Sequence, residues 1–225
     1  MKRVFFLVNK LDEFDFLQYV KKHLNEISIT VGDLLPKHTD EYDLIVFWSY
    51  RKIIKNIPSG KNMILFHSSD LPDGKGWAPI YHSIYSGQEY FIITGILADE
   101  RVDSGDIIIK AKFRIKDNYT AEHIRKWDHE ISIILIKKIL ERFARGEIRG
   151  KKQEGADTSN SRRKPDENRI DLKSRFEQTI NHLRACEKNH PAFFYYNQTK
   201  YNITIEPETE PDFPADLKIK FYDSA

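Results

Sequence analysis

Short runs of apolar, β-branched and aromatic residues recur through the first half of the chain, and this pattern limits its fold most strongly. The runs are continuous rather than alternating, as in strands that are covered on both faces. Six of them predict strands, at residues 3–8, 27–31, 43–48, 63–67, 90–98 and 107–113. A period near 3.6 residues predicts an amphipathic helix over residues 13–25. This order of elements predicts an α/β fold, a Rossmann-like and mostly parallel sheet with helices on both faces.

The second half of the chain divides into a helix, a charged segment and a short tail. Thr120 is a candidate N-cap, and apolar residues keep helical spacing from there to Gly146, so we predict one long helix. Residues 147–169 contain almost no large apolar side chain, which predicts an exposed, flexible loop. The tail is too short to fold alone. Its predicted elements are a helix at 172–186 and β segments at 193–196, 201–205 and 217–222.

We therefore predict three regions. Residues 1–146 form the α/β domain, residues 147–169 are the charged loop, and residues 170–225 are a short α+β extension that packs on the domain.

The charge balance and the single cysteine exclude several classes of protein. The 225 residues carry 36 Lys and Arg against 34 Asp and Glu, a net charge of +2, which offers little attraction for nucleic acid. Cys186 alone forms neither an internal disulfide nor a cysteine zinc site, and it favours a reducing compartment. No apolar run approaches the roughly 18 residues of a membrane span. We expect a cytoplasmic protein with no metal, membrane or nucleic-acid partner.

Two polar elements follow predicted strands and carry the candidate chemistry. His67 begins a loop rich in Pro and Gly, and Asp103-Ser104-Gly105-Asp106 follows 36 positions later. Open α/β sheets bind ligands where their parallel strands end. Taken alone, a buried histidine and an ordinary Asp-Gly turn would explain both elements. An imidazole can relay a proton near neutral pH, and a carboxylate can orient it, so together they suit acid/base catalysis.

At these residues the chain resembles the folate-dependent formyltransferases, and most closely those that act on nucleotide-linked amino sugars. The segments Ser69-Asp70-Leu71-Pro72 and Gly74-Lys75-Gly76-Trp77 are similar to the loop of the sugar-type enzymes. The residues that match the superfamily in type and order are His67, Ser69, Leu71, Pro72, Gly76, Pro79, Gly87, Asp103, Gly105 and Asp106.

One position departs from the family pattern. The family has an asparagine two residues before the histidine, where its amide is thought to hold the formyl oxygen, and this chain has Leu65. Leucine donates no hydrogen bond, so either another group donates to the oxyanion or the enzyme is weak. The candidates are Ser68, Ser69 and the backbone amides that follow His67.

The resemblance also implies the reaction and the roles of individual residues. The donor would be 10-formyltetrahydrofolate, with no metal. His67 would be the acid/base and oxyanion partner, and Asp103 would position it and help to deprotonate the acceptor amine. The implied donor-binding residues are Trp48, Ser49, Tyr50, Ser69, Leu71, Pro72, Leu97, Asp99 and Asp106.

The acceptor is implied by the second half of the chain. Stretches around Arg162-Arg163-Lys164, Ile180 to Ala185 and Pro191 to Tyr196 resemble the corresponding part of nucleotide-sugar formyltransferases. They imply a UDP- or dTDP-linked amino sugar, a role in surface glycan synthesis and a homodimer, although Arg162 to Lys164 also fit a solvated charge cluster. The implied acceptor-binding residues are Gly76, Trp77, Arg163, Asn181, Arg184 and Phe193.

Three alternatives to this function stay open on the sequence. The acceptor could be another small amine, water could replace it so that the donor is hydrolysed, or the chain could bind folate or nucleotide without catalysis.

Overall fold

The computed structural model describes residues 1–9, 26–52, 54, 62–146 and 148–222. The helix predicted at residues 13–25 lies outside the described residues. The helices are α1 (Pro79–Tyr85), α2 (Ala121–Ala144) and α3 (Phe176–Ala185), with short 3-10 turns at Thr39–Glu41 and Pro165–Asn168. The strands are β1 (Lys2–Val8), β2 (Ile27–Gly32), β3 (Leu44–Trp48), β4 (Met63–His67), β5 (Lys75–Gly76), β6 (Tyr90–Leu97), β7 (Ile107–Arg114), β8 (Ser159–Asn160), β9 (Ala192–Tyr196), β10 (Thr199–Ile203) and β11 (Lys218–Phe221).

A seven-stranded sheet in the order β11-β7-β6-β4-β3-β1-β2 forms the centre of the protein. Strands β2, β1, β3 and β4 pair in parallel, whereas β6 is antiparallel to both β4 and β7, and β11 is antiparallel to β7. Strand β7 therefore runs with the first four, so five of the seven strands point the same way. The predicted α/β fold with a mostly parallel sheet is confirmed, and the antiparallel β6 is a feature that the apolar runs did not reveal.

Alternate side chains of the central strands enter two different cores. Val4 and Phe6 of β1 belong to the larger cluster, which includes the buried face of α2. Phe5 and Leu7 of the same strand join Phe47 in a cluster on the other side of the sheet. Burial on both faces explains why these runs are continuously apolar.

Helix α2 is the long helix that the spacing predicts. Thr120 and His123 form a capping box at its N-terminus, and Gly146 follows its last turn with φ of +81°. Its buried face carries large apolar side chains along its whole length, Ile124, Trp127, Ile131, Leu135, Ile136, Ile139, Leu140 and Phe143.

The C-terminal part of the chain is joined to the sheet and to the helices. Strand β11 extends the sheet beside β7, with Ile219 opposite Ala111, and α3 packs on α1. Strands β9 and β10 form a separate hairpin.

The segment predicted as a charged loop makes regular backbone contacts. Lys151 forms an antiparallel bridge with Ile107, and β8 pairs in parallel with β5. Composition did not predict these contacts because polar backbone pairing leaves no hydropathy pattern.

Candidate active site

His67 and Asp103 meet at the end of β4. The Nδ1 atom of His67 lies 3.5 Å from Oδ2 of Asp103, and the two side chains are only 10% and 11% exposed. On the other side of the ring, Nε2 lies 2.9 Å from the carbonyl oxygen of Gly74. Because an acceptor oxygen faces each ring nitrogen, an imidazolium formed by proton uptake would have an acceptor on both sides. The structure thus brings together the pair that the sequence singled out.

The turn that carries Asp103 is held from two directions. Asp103 adopts a left-handed backbone with φ of +53°. The backbone N–H of Gly76 donates to its carboxylate at 3.0 Å, and the side-chain amide of Gln153 donates to the carbonyls of Asp103 and Gly105 at 2.9 and 2.8 Å. A Cβ atom on Gly105 would lie 1.4 Å from the carbonyl oxygen of Leu97, so only glycine fits there. These contacts fix the carboxylate towards His67.

The glycine-rich loop after His67 is supported by residues 157–160. Gly76 has φ of +87°, and a Cβ there would lie 2.5 Å from the carbonyl oxygen of Asn160. The backbone N–H of Lys75 donates to the carbonyl of Thr158 at 3.0 Å, and that of Trp77 donates to the carbonyl of Asn160 at 3.1 Å. The Lys75 ammonium also lies 2.9 Å from Asp157. The charged segment is therefore one wall of the site.

Both serine hydroxyls next to His67 already have acceptors within the protein. Ser68 Oγ donates to Asp128 Oδ1 at 2.8 Å, and Ser69 Oγ donates to the carbonyl of Asp73 at 2.8 Å. Leu65 packs among buried apolar residues of the sheet. The expected replacement for the family's amide is thus not a free hydroxyl at either serine.

Asp128 is an acid in an unusual setting. It lies on the first half of α2, and burial raises the pKa of its carboxyl to about 6. The hydrogen bond from Ser68 and the charges of Arg125 and His67 oppose that rise.

The implied donor-binding residues next to β3 differ in accessibility. Trp48 is buried, with its ring against Phe66 and His129. Tyr50 is half-buried near Phe47, and Ser49 has φ of +50°. The side chain of Asn9 holds this turn, donating to the Ser49 carbonyl and accepting from the backbone N–H of Arg51.

The other implied donor-binding residues are spread along the sheet. Leu71 and Pro72 are buried beneath the loop. Leu97 lies opposite Ile64, three residues along β4 from His67, a separation of about 10 Å at the usual rise of a strand. Asp99 is exposed beyond it and caps the backbone of Glu100. The partly buried Asp106 accepts the backbone N–H of Leu97 through its carbonyl, at 2.8 Å.

Two of the implied acceptor-binding side chains lie on the path from the glycine loop to α1. Trp77 is 43% exposed, and the guanidinium of Arg162 lies 5.1 Å from the centre of its ring. Arg163 lies over the ring of Tyr81 at 3.2 Å and donates to Asn168 Oδ1 at 2.6 Å.

The remaining implied acceptor-binding residues are part of the packing of the C-terminal region. Arg184 is 8% exposed and donates to the carbonyls of Tyr119 and Lys116 at 2.8 and 2.6 Å. Its third contact is Asn181 Oδ1, at 3.1 Å, so these two side chains converge on each other. Phe193 is 3% exposed within β9.

Sequence reasoning missed four residues that shape the site: Gln153, Thr158, Asn160 and Asp128. The first three lie in the charged segment, where no pattern distinguished them. Asp128 did carry a signal, because it interrupts the apolar face of α2 between Trp127 and Ile131.

Within the described parts of the chain, no helix is long and apolar enough to cross a bilayer. Among the same residues, no group of three or more His, Cys, Asp or Glu is arranged to hold a metal ion.

Known proteins are similar to this chain over the part that contains the site. Residues 33–139 match the formyl transferase family, a stretch that includes β3 to β7, His67 and Asp103. The methionyl-tRNA formyltransferase of Thermodesulfovibrio yellowstonii is 26% identical over 213 residues, which cover 94% of this chain and 64% of that protein. Across the first such relatives the chain spans between 37% and 64% of their length.

Solved structures share the fold. A sugar N-formyltransferase from a Shewanella species superposes with a TM-score of 0.77 at 16% identity and covers 94% of this chain and 100% of its own. The N-formyltransferase of Helicobacter canadensis, solved with folinic acid and dTDP-3-aminofucose, has a TM-score of 0.71 at 18% identity, with 89% and 86% of the two chains covered.

Proposed function

Because the chain carries a formyl transferase domain, we propose that it transfers the formyl group of 10-formyltetrahydrofolate to the amine of a nucleotide-activated amino sugar. The observation that carries the proposal is the pair of His67 and Asp103, 3.5 Å apart at the end of a parallel strand. The proposed catalytic domain is residues 1–146, with residues 147–169 and 170–225 completing it.

In the proposed reaction, the neutral amine attacks the formyl carbon and forms the new C–N bond. The carbonyl electrons move onto oxygen, and the imidazolium of His67 stabilises this oxyanion. Asp103, fixed by Gly76 and Gln153, takes the proton that the attacking nitrogen loses. The bond from the formyl carbon to N10 of the folate then breaks and the carbonyl re-forms. The leaving nitrogen takes a proton from the His67 imidazolium, and the proton held by Asp103 restores that imidazolium.

The described residues fit a folate-type donor on the face of the sheet opposite α2. Tyr50, Leu65 and Ala98 are partly buried there around Phe47 and Met63. Such an apolar rim suits a flat heterocycle, and Asp99 at the end of β6 offers a carboxylate for its polar edge. Trp48 and Leu71 would support this surface from the core.

For the acceptor, the proposal favours the side of Gly76 and Trp77. The loop reaches Asp103 directly, and Arg162 and Arg163 follow the segment that pairs with it. Guanidinium groups suit the diphosphate of a nucleotide sugar. The structural resemblance to the enzyme solved with dTDP-3-aminofucose supports this acceptor class. Surface glycan synthesis in the cytoplasm is the proposed setting.

The test is a direct assay. Purified protein is incubated with 10-formyltetrahydrofolate and a panel of UDP- and dTDP-linked 3-amino and 4-amino sugars, and the formamide is detected by mass spectrometry alongside released tetrahydrofolate. Formate release that is unchanged by every amine would indicate donor hydrolysis instead. Failure to release tetrahydrofolate in any reaction would refute the proposal.

A second acceptor is favoured by the sequence relatives. Several curated relatives are methionyl-tRNA formyltransferases, and the match to the one from Thermodesulfovibrio yellowstonii covers 94% of this chain. Methionyl-tRNA therefore belongs in the acceptor panel, and its formylation in preference to the sugars would overturn the sugar assignment while leaving formyl transfer intact.

A further inference from the structure

The position of Asp128 on α2 is hard to explain by packing. Its neighbours on the same face of the helix are the buried side chains of Ile124, Trp127 and Ile131. A carboxylate among such residues destabilises a fold unless it is paired. Its hydrogen-bond partner among the described side chains is Ser68, the residue that directly follows His67.

The contact joins the catalytic strand to the helix behind it. Ser68 leaves β4 on the side of α2 and donates to Asp128 Oδ1 at 2.8 Å. His67 faces Asp103 and Gly74 instead. The chain at the end of β4 is therefore fixed by two carboxylates, one from the loop and one from the helix.

Two positive groups near Asp128 favour its ionised form. Arg125 on its own helix and His67 at the end of β4 both act on the carboxylate. Arg125 is exposed and donates to Glu187, so its charge is shared. The imidazole of His67 is the titratable group on the facing element.

We propose that Asp128 is a positioning residue of the formyl-transfer site: its ionised form holds Ser68, and thereby His67, and its charge stabilises the His67 imidazolium that faces the oxyanion. This inference rests on the proposed function. Protonated Asp128 has lost that charge and accepts more weakly, so positioning weakens in acid.

The geometry predicts a distinctive combination of effects on rate and stability. The pKa of the Asp128 carboxyl is about 6 in the folded protein against an ordinary value of 3.8. Because the pKa is raised in the folded protein, ionisation of Asp128 lowers the free energy of unfolding. This loss of stability is complete above pH 6 and absent below about pH 4. Replacing Asp128 by an uncharged residue should therefore raise stability at pH 8 while it lowers turnover, as found where function holds strain in a fold.

The first experiment compares wild type with Asp128→Asn between pH 5 and 8.5. The ratio of their kcat/KM values should approach one near pH 5 and reach about ten above pH 7, and the Tm of the variant should exceed that of wild type at pH 8. Glu141→Gln makes the same change at an exposed position of α2 and should alter neither. A ratio that is independent of pH, or a variant that loses stability at pH 8, would show a structural role only.

The second experiment asks whether Asp128 acts through Ser68. Ser68→Ala should lower kcat/KM above pH 7, and combining it with Asp128→Asn should add little further loss, because the two changes remove one interaction. Losses that multiply would overturn the positioning role.

The third experiment does not depend on the reaction. The carboxyl carbon of Asp128 should titrate near pH 6 by NMR, and its midpoint should move to higher pH in Ser68→Ala and in His67→Ala. The first change removes a hydrogen bond, and the second removes a nearby charge, that favours the ionised form. An unmoved midpoint in both variants would refute the coupling. If no acceptor is formylated in the assay above, the proposed function fails. The titration still shows whether Asp128 is coupled to Ser68 and His67.

Discussion

The catalytic corner, residues 67–76 with 103–106 and 153–160, and the C-terminal region, residues 170–222, use polar side chains in opposite ways. In the corner, backbone groups and Gln153 hold Asp103, so that a carboxylate oxygen faces His67. In the C-terminal region, Arg184 has three protein acceptors and is almost fully buried. In the corner the protein holds a carboxylate that faces an imidazole, whereas in the C-terminal region a guanidinium holds the surrounding backbone. The first arrangement suits the proposed chemistry, and the second stabilises the fold.

The largest effect should follow removal of the pair at the corner. His67→Ala and Asp103→Ala should each lower kcat/KM by about 10²–10⁴, the usual range for a general acid or base, while the protein stays folded. Steady-state kinetics and a thermal melt measure both. His38→Ala and Asp40→Ala remove the same groups at exposed positions and should leave the rate unchanged. Variants of the pair that retain wild-type turnover would place the chemistry elsewhere.

Arg184→Ala should lower stability without changing acceptor binding, which would distinguish the C-terminal region from the corner. It leaves two backbone carbonyls without their donors, so the free energy of unfolding should fall by about 2–4 kcal/mol in urea titrations. At a temperature where the variant is folded, its KM for the acceptor should match that of wild type. A tenfold rise in KM with unchanged stability would instead make Arg184 a ligand-binding residue, as the resemblance implied.

Removing the amide that holds the Asp103 turn should have a smaller effect. Gln153→Ala deletes the donors to the carbonyls of Asp103 and Gly105, so we expect about a tenfold fall in kcat/KM, mainly through kcat. Gln88→Ala, at an exposed position before β6, is the matched control. If Gln153→Ala has full activity, the bond from Gly76 alone suffices to place the carboxylate.

The smallest effect on activity should come from alkylating Cys186 in the C-terminal region. Burial raises the pKa of its thiol to about 11, so very little thiolate exists at pH 8. Iodoacetamide should label native protein slowly and leave its activity unchanged, whereas unfolded protein should react within minutes, as mass spectrometry can follow. Rapid labelling of active protein would indicate that this region opens far more readily than the corner.

The strands and the pairing of His67 with Asp103 could be predicted because each has a local signature. The run at residues 3–8 became β1 (Lys2–Val8), and Thr120 caps the helix that the apolar spacing indicated. His67 and Asp103 were found through motif order, and the match of residues 33–139 to the formyl transferase family confirms the resemblance that those motifs carry. The sequence was therefore sufficient to predict those features that depend on local burial patterns or on the order of motifs.

Features that depend on distant partners could not be predicted in this way. Strand β6 is as apolar as its neighbours, so nothing in its sequence showed that it runs antiparallel to β4. Residues 172–175 were predicted as helix, but Asp171 caps a turn there and α3 begins only at Phe176. Arg184 is buried because it donates to the carbonyls of Lys116 and Tyr119, which lie more than sixty positions earlier in the chain.

The pairing of β5 with β8 has a consequence for the order in which the protein is made. Gly74 and Thr158, which meet beside this pairing, are 84 residues apart in the chain. A growing polypeptide contains both His67 and Asp103 long before it contains the segment that braces them. Since contacts of large sequence separation form late, the catalytic corner should mature only after synthesis has passed residue 160. In a nascent chain, His67 and Asp103 would thus reach their final arrangement only when most of the fold is present.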